Sequence, residues 1–108
     1  MSYRIVTIPQ FDKDLKKLAK KYRSIKQDVA ALARQLENNP IIGDEIIKDC
    51  YKIRMSIASK GKGKSGGARV ITYVFINHTT VFLLSVYDKS DQADISIKEL
   101  HQLVKEIA

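Results

Sequence analysis

Apolar positions recur along this chain with two different periods, and the change from one to the other divides it into sections. Tyr3 to Ile8 is a short β-prone run that ends at Pro9, a position where a strand stops and a helix starts. Phe11, Leu15, Leu18, Ala19 and Tyr22 then follow at helical spacing. Lys13, Lys16, Lys17, Lys20 and Lys21 lie between them, so the segment predicts a helix with one apolar face and one lysine face. Ser24 with Gln27 has the form of a capping box and opens a second helix through Ile25, Val29, Leu32 and Leu36, which Asn38-Asn39-Pro40 ends. Only a few residues around Arg23 separate the two, which predicts an antiparallel helical hairpin.

Ile41 to Ile47 reads as a connecting segment with one glycine, Gly43. From Cys50 the period becomes two, with Tyr51, Ile53, Met55 and Ile57 on one face and Lys52, Arg54, Ser56 and Ala58 on the other. Arg69 to Ile76 is almost continuously apolar, as a central strand is. Asn77-His78-Thr79-Thr80 is a turn, and Val81 to Tyr87 returns as the next strand. Ser96 with Glu99 forms a second capping box, opening a last helix whose apolar positions are Ile97, Leu100, Leu103, Val104 and Ile107.

The order β, α, α, β, β, β, α predicts an α+β fold: an antiparallel sheet extended by the first strand, with the N-terminal helical hairpin on one face and a C-terminal helix. If Ile76 pairs with Val81 and Ala58 with Ala68, parity puts Tyr51, Ile53, Met55, Ile57, Ile71, Tyr73, Phe75, Phe82, Leu84 and Val86 on the core face. The reverse face then carries Lys52, Arg54, Ser56, Thr72, Ser85 and Tyr87, a polar and cationic surface suited to an anion. This register puts Arg69 on the core side, and a bulge at Gly66-Gly67 would reverse it.

At 108 residues the chain reads as a single domain, residues 1–108. A fold of that size hides roughly two-thirds of its unfolded surface, enough for one core. Apolar residues at 44% and charged residues at 29% fit a soluble globular protein and exclude a disordered one. A net charge of +7 points to nucleic acid or another anionic partner. The charge is concentrated between Lys52 and Arg69, which holds six basic residues and no acidic one. The sole cysteine, Cys50, excludes an internal disulfide, and no Cys or His spacing suits zinc, so no metal or cofactor is expected. No segment has the apolar length of a signal peptide or membrane span, and a cytoplasmic protein with no membrane partner is expected.

Three segments carry a resemblance: Cys50-Tyr51-Lys52-Ile53-Arg54, then Ala58 to Ile71 with its alternating Lys60, Lys62 and Lys64, then Leu83-Leu84-Ser85-Val86-Tyr87 with Lys89. Together they resemble the RelE/HigB family of type II toxins, within the RelE/ParE superfamily, and the loop is similar to the HigB branch. The resemblance implies a ribosome-dependent mRNA endonuclease that enters the ribosomal A site, with rRNA and mRNA as partners. It also implies a cognate antitoxin, HigA-like or RelB-like, that holds the toxin inactive in a hetero-oligomer. The implied chemistry is attack of the ribose 2′-hydroxyl on the adjacent phosphate, without a metal. Growing negative charge must then be met by preorganised cations.

By the same resemblance, the catalytic residues fall on Lys52, Arg54, Arg69 and Tyr87, and RNA contacts on Lys60, Lys62, Lys64 and Lys89. The chain departs from the family pattern in one respect: from Gln92 to Ile97 there is no tyrosine for proton transfer. Tyr87 is the nearby substitute, and His78 and His101 fall outside the site. Plainer readings stand beside these. Lys52 and Arg54 also fit the solvated face of a half-exposed strand, the loop lysines a solubilising loop, and Tyr87 rim packing. Two other functions fit the same residues: a ParE-like inhibitor of DNA gyrase, and a non-catalytic RNA- or ribosome-binding domain.

Overall fold

The helical periods of the N-terminal part become α1 (Pro9–Ala19) and α2 (Ile25–Asn38) in the computed structural model, which describes residues 2–61 and 63–107. Pro9 occupies the first turn of α1, where its missing N–H costs nothing. The apolar stripe of α2 is buried as spaced, at Ile25, Val29, Leu32 and Leu36. Ser24 stands at its N-cap without capping it. Its hydroxyl instead donates to Asp28 Oδ2 at 2.8 Å and accepts the Ser59 N–H at 2.8 Å, so the expected capping box is replaced by a tertiary clamp. Ser96 does behave as expected, accepting the Glu99 N–H at 3.1 Å to open α3 (Ile97–Lys105).

The sheet has five strands in the order β1-β5-β4-β3-β2, where β1 is Arg4–Thr7, β2 Asp44–Ile47, β3 Cys50–Met55, β4 Ala68–Phe75 and β5 Thr80–Asp88. It is mixed, not wholly antiparallel as expected. The crossover through the helical hairpin brings β1 alongside β5 in parallel, while the other pairs are antiparallel. The supposed connecting segment supplies the fifth strand. Four residues long and charged at Asp44 and Glu45, β2 pairs with β3 through a tight turn in which Asp49 takes φ 68°.

The register differs from the sequence expectation in a way that bears on the site. Ile53 faces Val70, and Val70 faces Val86, so the inward face of β4 is Val70, Thr72 and Val74 rather than Ile71, Tyr73 and Phe75. The Met55–Ala68 pairing sets that face of β4, and β5 adds a bulge of its own: Ile71 pairs with Ser85 and Thr72 with Leu83, leaving Leu84 as the surplus residue. Strict alternation cannot hold through such a point, so Phe82 and Val86 end on opposite faces. Met55 pairs with Ala68 at the loop end, which moves Arg69 off the core side.

Candidate active site

The corrected register sets Arg54, Arg69 and Tyr87 directly opposite one another on β3, β4 and β5, three adjacent strands. Lys52, Ile71 and Ser85 form the next row on the same face. Three cations and a tyrosine thus share one rigid surface, where backbone hydrogen bonding fixes their spacing. Lys52 and Arg54 also line a shallow depression of about 440 Å³ with Gly43, Asp44 and Lys64, so a loop lysine joins the strand pair. Arg54 is exposed; Arg69 is buried.

Arg69 is occupied locally. Its Nη1 donates to the carbonyls of Lys64 and Ala68, each at 3.1 Å, and Nη2 to that of Ser65 at 3.4 Å. The guanidinium therefore holds the returning side of the lysine loop while its charge lies beneath the row. Gly67 completes this root: its carbonyl accepts the Lys89 N–H at 3.1 Å, and a Cβ there would run into the Met55 carbonyl oxygen. Lys89 itself is exposed at the start of the segment after β5. Lys62 lies outside the described residues.

The outgoing side of the loop is held from α2. Asp28 Oδ2 accepts the Ala58 N–H at 3.1 Å, and Ser59 bonds Ser24. Lys60 is then drawn inward, away from the depression that Lys64 shares. Its Nζ donates to Asp88 Oδ1 at 2.8 Å and to Ser90 Oγ at 2.7 Å, and only 10% of its side chain is exposed. Asp88 also accepts the Tyr22 hydroxyl at 2.5 Å and the Ser90 N–H at 2.9 Å. Burial disfavours its charge, but the bonds from Lys60, Tyr22 and Ser90 outweigh that and hold the carboxyl well below the usual range.

Two contacts at the row were not read from the sequence, and both involve Asp94. Lys52 Nζ lies 3.4 Å from each of its carboxylate oxygens, and the Tyr87 hydroxyl lies 3.5 Å from Oδ1. The Ile95 N–H, donating to the same oxygen at 2.9 Å, holds the Asp94 carboxyl below its ordinary range; partial burial opposes this and Lys52 adds to it. Tyr87 is shifted the other way. Burial, then the charge of Asp94, push its hydroxyl up to about 12 against the opposing pull of Arg69. Tyr87 is thus a proton donor at neutral pH, and Asp94 an ionised acceptor. His78, whose ring packs on Phe75, and His101 on α3 are both exposed and touch neither.

A groove of about 470 Å³ adjoins the row, between Asp14 on α1, Ser85 to Tyr87 on β5, and Lys98, Glu99 and Leu103 on α3. It shows α3 beside the same sheet face as Tyr87. Asp14 closes the β5 edge beyond the end of β1, accepting the Ser85 hydroxyl at 2.7 Å and the Val86 N–H at 3.2 Å.

The family model described as the RelE toxin of the RelE/RelB toxin-antitoxin system matches residues 10–108. Among solved structures, a doubly substituted Escherichia coli RelE toxin in the free state aligns over 100% of both chains, at 22% identity and a TM-score of 0.66. The isolated E. coli RelE toxin aligns over 99% of this chain and 100% of its own, at 25% identity and a TM-score of 0.59. The RelBE2 toxin-antitoxin complex from Mycobacterium tuberculosis matches 82% of this chain and 99% of its own, at 22% identity and a TM-score of 0.62. By the match to the family model over nearly its whole length, this chain belongs to the RelE family: a ribonuclease toxin of the type II toxin-antitoxin class, whose partner is a cognate antitoxin.

Proposed function

We propose that this toxin cleaves mRNA on the ribosome, by attack of a ribose 2′-hydroxyl on the adjacent phosphate. The observation that carries the reading is the row of Arg54, Arg69 and Tyr87 in register on adjacent strands, with Lys52 one row below. As the 2′-oxygen approaches phosphorus, negative charge grows on the non-bridging oxygens. Lys52 and Arg54, with Lys64 across the depression, meet that charge directly. Arg69 contributes its charge from below and keeps the loop that bears Lys64 in place. Protonated Tyr87 gives its proton to the departing 5′-oxygen, so the products are a 2′,3′-cyclic phosphate and a 5′-hydroxyl. No step of this sequence calls for a metal ion.

The net charge of +7 suits a ribosomal target, and Lys13, Lys16 and Lys17 on α1, with Lys20 at its C-cap, form an exposed ridge that, with Lys89, contacts rRNA in this reading. Among the described residues no helix is long and apolar enough to cross a membrane. We place the protein in the cytoplasm, where its ribosomal target lies. The antitoxin, HigA-like or RelB-like, forms a hetero-oligomer with it and silences it.

Controlled expression without the antitoxin, followed by primer extension on a defined message, tests the reading. Cuts should lie within translated sequence and disappear when initiation is blocked. Substituting the exposed Arg54 by Ala should lower cleavage by about 10²-fold or more, the usual cost of removing one charge-stabilising group. Message ends unchanged in Arg54→Ala would refute the assignment of the row, and cuts in free RNA equal to those on ribosomes would refute the ribosomal requirement.

A further inference from the structure

We infer that Asp94 is the general base of the reaction, taking the proton from the attacking 2′-hydroxyl; the inference rests on the ribonuclease reading above. A base must be unprotonated at neutral pH and within reach of the row. Lys52, Arg54, Arg69 and the neutral Tyr87 hydroxyl are all donors. Both histidines lie elsewhere. Asp14 bonds Ser85 and Asp44 stands across from Lys52 on β2, but among the described residues Asp94 is the carboxylate that touches both Lys52 on β3 and Tyr87 on β5; it is exposed, and is anchored at Oδ1 by the Ile95 N–H. Apo contacts of 3.4 to 3.5 Å are of the loose kind that tighten when substrate binds. Repulsion between this carboxylate and a phosphate is offset by the Lys52, Arg54 and Arg69 charges on the same face.

The proton balance closes within these residues. Asp94 accepts the 2′-hydroxyl proton as the 2′-oxygen bonds to phosphorus, the bond from phosphorus to the 5′-oxygen breaks, and that oxygen takes the Tyr87 proton. The Asp94 carboxylic acid then reprotonates the Tyr87 phenolate, 3.5 Å away, and both groups return to their starting states. Asp94 and Tyr87 thus act as one relay. No tyrosine is required between Gln92 and Ile97.

The test compares wild type with Asp94→Asn on programmed ribosomes, measuring cleavage rate and ribosome binding separately. Cleavage should fall about 10²- to 10⁴-fold, the range of a lost general base, with binding unchanged. In the wild type the rate should also decline as acidic pH protonates Asp94, which faces the Lys52 ammonium on β3 and the Tyr87 hydroxyl on β5, and the variant should lack this decline. Formate should restore part of the rate to Asp94→Gly, which a merely structural carboxylate would not allow. If Asp94→Asn cuts as fast as wild type, or faster with tighter binding, Asp94 only neutralises Lys52 and the inference is overturned while the ribonuclease reading stands. If wild-type protein leaves ribosome-bound message intact, that reading fails and the inference falls with it.

Discussion

The chain builds one chemical trio twice, an aspartate with a lysine and a tyrosine, on opposite faces of the same strand end. On the face turned to the helical hairpin, Asp88 holds Lys60 at 2.8 Å and Tyr22 at 2.5 Å, and its side chain is 0% exposed. On the other face, Asp94 holds Lys52 at 3.4 Å and Tyr87 at 3.5 Å, and its side chain is 58% exposed. Tyr87 and Asp88 are consecutive, so the pleat alone sends one to each trio. Short bonds and full burial give a group that cannot change charge without unfolding its surroundings. Long bonds and exposure leave a group free to exchange partners, as the base proposed above has to be.

The comparison breaks most readily at Asp88. Asp88→Ala leaves Lys60 with only the Ser90 hydroxyl and Tyr22 without its acceptor, and should cost about 3–5 kcal/mol in urea unfolding, as removal of one partner from a buried pair does. The carboxyl titrates lower when folded than unfolded, so its stabilisation is complete above the unfolded carboxylate pKa of about 4 and is lost as pH falls below it. Asp88→Asn should flatten that acid limb of the stability curve. Tyr22→Phe removes one bond to the same charge and should cost about 1.5–3 kcal/mol, measured the same way. A cost under half a kcal/mol would show that the short bond contributes nothing.

The mirror substitutions should do far less to stability. Lys52→Met breaks an exposed pair and should change unfolding by at most about 1 kcal/mol while lowering cleavage. Tyr87→Phe keeps the ring and should shift stability by about 0.5 kcal/mol or less, with cleavage down about 10²-fold. Its spectroscopic signature is smaller still. In an absorbance titration, the wild type should show one tyrosine ionising near 12, and that step should be missing from Tyr87→Phe. Stability should decline with rising pH above about 10 for this group, because the unfolded tyrosine loses its proton first.

Local signals carried much of the fold into the sequence. The stripe of α2, the period-two run from Cys50 and the Ser96–Glu99 cap were all legible, because each is decided within a few residues. The glycine-lysine loop also carried the family resemblance, and Lys52, Arg54, Arg69 and Tyr87 were named from it. What was not legible depends on distant partners. The bulge at Leu84 and the Met55–Ala68 pairing are settled by how whole strands pack, and no alternation of apolar residues reports them. The short β2 strand hides behind two charges at an open edge. Lys60 looks like Lys64 in sequence, and only a carboxylate 28 positions further on tells them apart. Asp94 was missed for the same reason, being 42 positions from Lys52 in an otherwise unremarkable polar segment.

One consequence concerns the loop whose two roots are tied separately, by Ser24 and Asp28 on one side and by Arg69 and the Gly67–Lys89 bond on the other. Because each root is secured on its own, the distance between them is set by the sheet and the helices, not by the residues in between. Doubling the span of a flexible loop costs only about 0.6 kcal/mol in closure entropy. The tip can therefore lengthen or shorten, and so change its reach, while Arg54, Arg69 and Tyr87 keep their spacing. Insertion of glycine and serine between Gly61 and Gly63 is where this chain can change its range without disturbing its chemistry.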